Sequence, residues 1–176
     1  MRNSFVRFLA ITFFVFLLMQ LNTSAQFTAD KHYAGPSLGF YFHGSSVILG
    51  GNYEYGLALK DIGTIGIGGI IRYYTYSAGN WKYTDILIGA QGNYHFKMDN
   101  KKFDPWVGLL VALDNGSVSY DGPSGYNFSD PSYGGFWVGL HGGMRYWLSP
   151  TMALTGRIGF GSYSYSSFDI GVDFKF

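Results

Sequence analysis

The chain is 176 residues long, carries a net charge of +1 and contains no cysteine. That length fits one domain, the near-neutral charge supplies no drive toward nucleic acid or a strongly acidic partner, and the missing thiols exclude disulfides and thiolate metal sites. With 13% charged residues against 26 glycines, 15 tyrosines and 16 phenylalanines, it lacks the charged coat of an ordinary soluble domain.

Residues 1–25 read as a signal peptide. Arg2 and Arg7 accompany an apolar run over 8–21, interrupted at Thr12 and Gln20, and Thr23, Ser24 and Ala25 offer small residues for cleavage before Gln26. The run falls short of the ~20 residues that a membrane-spanning helix needs. The mature domain is therefore expected over 26–176, and no later apolar run is long enough for a membrane helix.

The mature domain alternates with a period of two, the spacing that sends successive strand side chains to opposite faces. After a polar lead-in over 26–36, a first strand at 37–43 sets Leu38, Phe40 and Phe42 against Gly39, Tyr41 and His43. The second, 47–59, sets Val47, Leu49, Tyr53 and Tyr55 against Asn52 and Glu54; the third, 64–76, sets Ile65, Ile67, Ile71 and Tyr73 against Ile70, Arg72 and Tyr74. The fourth, 83–97, opposes Ile86, Ile88 and Phe96 to Asp85, Gln91, Asn93 and His95, and the fifth, 103–114, opposes Val107, Leu109, Val111 and Leu113 to Trp106, Leu110 and Asp114. Residues 115–134, rich in Gly, Ser, Tyr, Asn and Asp with Pro123 and Pro131, read as the one long loop.

The sixth strand, 135–148, is the clearest. Phe136, Val138, Leu140, Met144, Tyr146 and Leu148 make one face continuously apolar, while Trp137, His141, Arg145 and Trp147 share the other with glycines. A seventh strand at 152–161 sets Leu154, Ile158 and Phe160 against Thr155 and Arg157, and an eighth at 168–176 sets Phe168, Ile170, Phe174 and Phe176 against Asp169, Asp173 and Lys175.

An apolar face capped by aromatics, backed by a polar and glycine-rich one, is the inverse of a soluble barrel and fits a lipid-facing wall. The expected fold is all-β, an eight-stranded antiparallel up-and-down transmembrane β-barrel. An even strand number brings both termini to one end. With that end in the periplasm, the short turns at 60–63, 98–102 and 149–151 are periplasmic and the 115–134 loop is extracellular.

A barrel of this strand number has an interior just wide enough to be filled by side chains. The inward charges Glu54, Arg72, Asp85, Asp114, Arg145, Arg157, Asp169, Asp173 and Lys175 include both signs and are read as lumen ion pairs, with Arg157 opposite Asp173 and Arg72 diagonal to Glu54. No catalytic, cofactor or metal residue is expected. His43 precedes Ser45 and Ser46 without an acid placed to orient it, and His95 and His141 fall at other heights, against both a triad and a metal site. In the long loop, Tyr120, Tyr126, Phe128 and Tyr133 combine rigid aromatic area with adaptable polar neighbours and are the candidate binding residues, with Trp81 and Tyr83 beside them.

The signal-peptide pattern, the eight alternating segments, the Gly-Met-Arg-Tyr-Trp-Leu-Ser-Pro run at 143–150 and the terminal Phe-Asp-Ile-Gly-Val-Asp-Phe-Lys-Phe resemble the small outer-membrane β-barrel proteins of Gram-negative bacteria, an OmpA/OmpX-like, porin-family-type barrel domain. The resemblance implies residence in the outer membrane, contact with its lipid, and reading of the strand ending in Phe176 by the barrel-assembly machinery. That family includes adhesins, serum-resistance factors, structural proteins and a few enzymes, so it does not fix an activity. The reading is a barrel with a filled lumen that acts structurally or in surface binding and adhesion through extracellular loops. The alternatives are a narrow pore for small solutes and, behind it, a lipid-directed hydrolase at the outer rim. A secreted lipocalin-like barrel would need its polar face outside.

Overall fold

A computed structural model describes residues 26–41, 46–60, 63–122, 132–161 and 166–176. The proposed signal peptide 1–25, His43 and Ser45 at the first hairpin, and Tyr126 and Phe128 of the long loop lie outside the described residues.

Alternation becomes a wall with two faces. The strands β1 (His32–Tyr41), β2 (Val47–Leu59), β3 (Gly63–Ala78), β4 (Trp81–His95), β5 (Phe103–Tyr120), β6 (Ser132–Ser149), β7 (Met152–Gly161) and β8 (Ser166–Lys175) pair antiparallel, each with the next. The barrel closes between β1 and β8, where His32 and Phe176 exchange backbone hydrogen bonds of 2.9 and 3.0 Å. Closure leaves no open sheet edge. Outward Leu49, Ile88, Leu109, Leu113, Phe136 and Leu140 are between 56% and 65% exposed, whereas inward Ile48, Leu87, Leu110 and Trp137 are between 0% and 3%. The expected all-β, eight-stranded, up-and-down barrel is the one observed, and the described apolar residues named above fall on the faces expected of them.

Strand ends differ from the expectation in three places. First, β1 begins at His32 rather than at residue 37 and carries Pro36 inside it. A proline cannot donate to a ladder, so it reads as a boundary. Here it still faces Gly51 of β2, while the β1–β8 ladder passes from Ala34↔Phe174 to Ser37↔Gly171. Gly35 makes this possible, because a Cβ there would collide with the carbonyl oxygen of Val172.

Second, residues 115–120 and 132–134 of the expected 115–134 loop are strand. Asn115, Gly116 and Ser117 pair with Gly134, Tyr133 and Ser132, and β4 pairs with β5 as far as Trp81↔Tyr120. A neighbour on each side satisfies the backbone of this glycine- and serine-rich run, which overrides its weak intrinsic preference for strand. By the same extension β3 reaches Ala78 and β4 starts at Trp81, with Gly79 at φ +61° in the turn between them.

Third, the lead-in does not stay outside. Asp30, at φ 57°, is the one described non-glycine residue with positive φ, a conformation aspartate tolerates better than most. Its N–H donates to the Gly56 carbonyl at 2.9 Å and its Oδ1 accepts from the Tyr55 hydroxyl at 3.1 Å. The chain reverses there and buries Phe27 in the end of the barrel where β1 begins and β8 ends.

Candidate functional site

Inward side chains stack in layers along the lumen. At the terminal end Phe27, Tyr33, Trp147 and Ala153 pack together as a floor. The Tyr33 hydroxyl donates to the Thr28 carbonyl at 3.1 Å and accepts the Thr28 N–H at 2.8 Å, which ties the lead-in to β1.

Above the floor lies an ionic layer centred on Arg145 of β6. Its Nη2 donates to Glu54 Oε2 at 2.5 Å, its Nε to Asp173 Oδ2 at 2.6 Å, and its Nη1 to Asp104 Oδ2 at 3.5 Å. His95 bridges two of these acids, with Nδ1 2.8 Å from Asp104 Oδ1 and Nε2 2.9 Å from Glu54 Oε1. Both ring nitrogens face carboxylate oxygens, an arrangement that a doubly protonated imidazole satisfies. Phe27 stacks on the His95 ring at 3.5 Å between centroids and lies 5.4 Å from the Arg145 guanidinium carbon. Glu54 pairs with Gly68, and its carboxylate lies over Gly66, diagonal to it on β3, where a Cβ would meet the carboxylate.

The next layer holds Arg72, Asp169, Arg157, Gln91, Trp106 and His141. Arg72 donates from Nε and Nη2 to Asp169 Oδ2 at 3.1 and 2.8 Å, from Nη2 to Asn52 Oδ1 at 2.8 Å, and from Nη1 to the Gly51 and Ile71 carbonyls at 3.0 and 2.9 Å. Arg157 donates to Gln91 Oε1 at 3.0 Å and lies over the Trp106 ring at 4.8 Å. His141 meets the same indole edge-on at 4.9 Å. Above this comes an apolar layer of Ile48, Ile70, Leu87, Leu110, Ala112 and Trp137, with Tyr74 at its upper side.

Beyond the apolar layer the lumen opens into a mouth pocket of about 340 Å³, with Leu87 and Trp137 as its base and Tyr41, Tyr74, Tyr76 and Tyr133 in its walls. Two carboxylates enter it, Asp85 from β4 and Asp114 from β5. Asp85 is 1% exposed. Its Oδ1 accepts from the Tyr133 hydroxyl at 2.6 Å, while Asp85 Oδ2 and Asp114 Oδ1 have no hydrogen-bond partner among the described residues.

The sequence-read ion-pair set divides. Glu54, Arg145 and Asp173 meet in one layer, and Arg72 and Asp169 in the next. The pairing differs from the one inferred: Arg157 stands opposite Asp169 rather than Asp173, because β8 joins the ladder at Ser166↔Phe160, earlier than a 164–166 turn allows. Arg72 takes Asp169, and Glu54 takes Arg145 from across the lumen. Lys175 lies over the Trp147 ring at 5.6 Å and donates to the Gln26 carbonyl at 3.2 Å. Asp85 and Asp114 have no basic partner within ion-pair distance among the described residues.

Of the candidate loop residues, Tyr133 lies on β6 and turns into the mouth, and Tyr120 packs on Trp81 at 4.9 Å at the rim. Tyr83 stacks on Tyr76 at 4.6 Å. Asp104 was missed from sequence because Pro105 masks the step that puts Asp104 and Trp106 on one face; carrying the alternation through the proline recovers it.

No protein-family model and no curated protein matches the chain. Solved structures do. The N-terminal β-barrel domain of Pseudomonas aeruginosa OprF is similar at a TM-score of 0.60 and 16% identity, over 84% of this chain and 98% of that one. Ail, the attachment invasion locus protein of Yersinia pestis, gives 0.53 at 10% identity, over 83% and 95%. A major outer membrane protein from Thermus thermophilus gives 0.53 at 13% identity, over 83% and 99%. The fold of this chain is that of the small outer-membrane β-barrels.

Proposed function

We propose that the chain is an outer-membrane barrel protein of a Gram-negative envelope, exported with loss of residues 1–25, whose filled lumen carries no solute and whose role is structural or in surface binding at the mouth end. One observation carries this reading: an apolar outer wall surrounds a lumen whose central side chains have almost no exposure. Leu87, Trp106, Arg72 and Arg145 are each 1% exposed, which supports a lumen packed with side chains over an open channel. The wall would be costly in water at roughly 25 cal/mol per Å² of apolar surface, whereas lipid accepts it. In this reading the lipid of the outer membrane is the partner of the wall, and the strand ending in Phe176 engages the barrel-assembly machinery. Adhesion, which the name of the Yersinia protein evokes, is one form of the surface role. An enzymatic role finds no support in the described histidines: His95 is held by two acids, His141 lies against Trp106, and His32 meets the Tyr53 hydroxyl at the opposite end from the mouth.

Cell fractionation with gel migration before and after boiling, followed by conductance in planar bilayers, tests the proposal. A heat-shifted band in the outer-membrane fraction and no discrete current are expected. A soluble, unshifted protein overturns the membrane assignment, and a steady single-channel current assigns a pore.

A further inference from the structure

We propose that the mouth pocket is a binding site for a small organic cation of the ammonium class, held between Asp85 and Asp114 against a tyrosine and tryptophan wall. This goes beyond the proposed surface role, and the site belongs to the folded barrel whichever membrane holds it.

The barrel treats its buried acids in two ways. In the ionic layers Glu54, Asp104, Asp169 and Asp173 each face an arginine nitrogen at 2.5 to 3.5 Å. In the mouth Asp85 is as deeply buried as they are, yet its Oδ2 and Asp114 Oδ1, both shut off from solvent, have no hydrogen-bond partner among the described residues, and both residues line the pocket. No lysine or arginine is among the described lining residues. Leaving a carboxylate both desolvated and unpaired is costly. A ligand that brings positive charge supplies the missing partner.

The walls select which cation. Tyr41 and Tyr74 stack at 5.6 Å between centroids, Tyr76 stacks on Tyr83, and Trp137 closes the base beside Leu87. Aromatic faces attract cations and are best matched by alkylated ammonium groups, whose diffuse charge and apolar surface fit such cages. A bare metal ion fits less well: calcium takes about six to eight oxygen ligands, and no group of three or more His, Cys, Asp or Glu suited to a metal occurs among the described residues. At about 340 Å³ the pocket lies near the lower end of small-molecule sites, which span roughly 300–1,000 Å³. The Tyr133 hydroxyl holds Asp85 Oδ1 at 2.6 Å, so the other oxygen is already oriented before a ligand arrives.

Titration calorimetry of the folded barrel in a nonionic detergent tests this with tetramethylammonium as probe. Saturable one-to-one binding is expected, with 2,2-dimethylpropan-1-ol, of similar shape but uncharged, binding at least tenfold more weakly. Asp85→Asn and Asp114→Asn, each checked for folding by its heat-shifted band, are expected to weaken tetramethylammonium binding about tenfold or more, and Lys60→Gln at the far end to leave it unchanged. Phosphocholine identifies the source: binding equal to tetramethylammonium assigns a lipid headgroup, and weaker binding assigns a free amine. Absence of saturable binding, equal binding of the uncharged alcohol, or unchanged binding by a folded Asp85→Asn variant overturns the proposal. The comparison of the two wild-type probes decides the matter even if a variant fails to fold, and heat shift and conductance report on the barrel assignment separately.

Discussion

Glu54 is the residue on which the lower lumen depends. Its carboxylate accepts from Arg145, His95 and Asn93, so three side chains lose a partner if it is removed. Breaking one partner out of a buried pair costs about 3–5 kcal/mol, largely because the survivor is left charged and unpaired. Glu54→Ala is expected to lower unfolding stability in urea by that amount. Arg145→Leu should cost a similar amount, and the double variant clearly less than the sum, because it removes both charges together. Additive losses in a double-mutant cycle would show that the two residues do not depend on one another. The inward position of both was legible from alternation alone. Their partnership was not, since Glu54 and Arg145 sit on β2 and β6, and contact across a closed lumen depends on strand tilt and stagger that no single hairpin encodes.

Elements show the same division between face and extent. The inside-out pattern of β6 and the apolar outward residues of β2 to β5 were readable because every second residue repeats the same environment. The ends of β1, β5 and β6 were not, because they depend on what the neighbouring strand offers. The β1–β8 seam makes this testable. Pro36 interrupts its ladder, and Gly35 beside it lets the backbone of Val172 approach. Gly35→Val places a branched side chain where a Cβ already collides with a backbone oxygen, which cannot rotate away. Overpacking of this kind costs about 1–3 kcal/mol. Because closure of the whole barrel passes through the seam, the variant is expected to show a lower yield of the heat-shifted species on refolding into lipid. Gly92→Val is the control, since nothing lies within 4 Å of its added Cβ. Equal refolding yields for the two would remove the seam from the argument.

At the scale of the molecule, side chains fill the lumen in successive layers: a floor containing Phe27, two ionic layers with Trp106 in the upper one, and an apolar layer containing Trp137. A path is open only when every layer is open. Truncating one large side chain removes roughly 3–5 kcal/mol of packing but leaves the remaining layers, whose side chains have almost no exposure, still across the bore. Phe27→Ala, Trp106→Ala and Trp137→Ala, each introduced alone, are therefore expected to lower the temperature at which the folded band is lost and yet to give no steady current in planar bilayers. A single constriction would behave otherwise, because its removal converts a sealed barrel into a conducting one in one step. Steady current from any one of the three variants would place the whole seal in that layer, and the other layers would then be packing around an open bore.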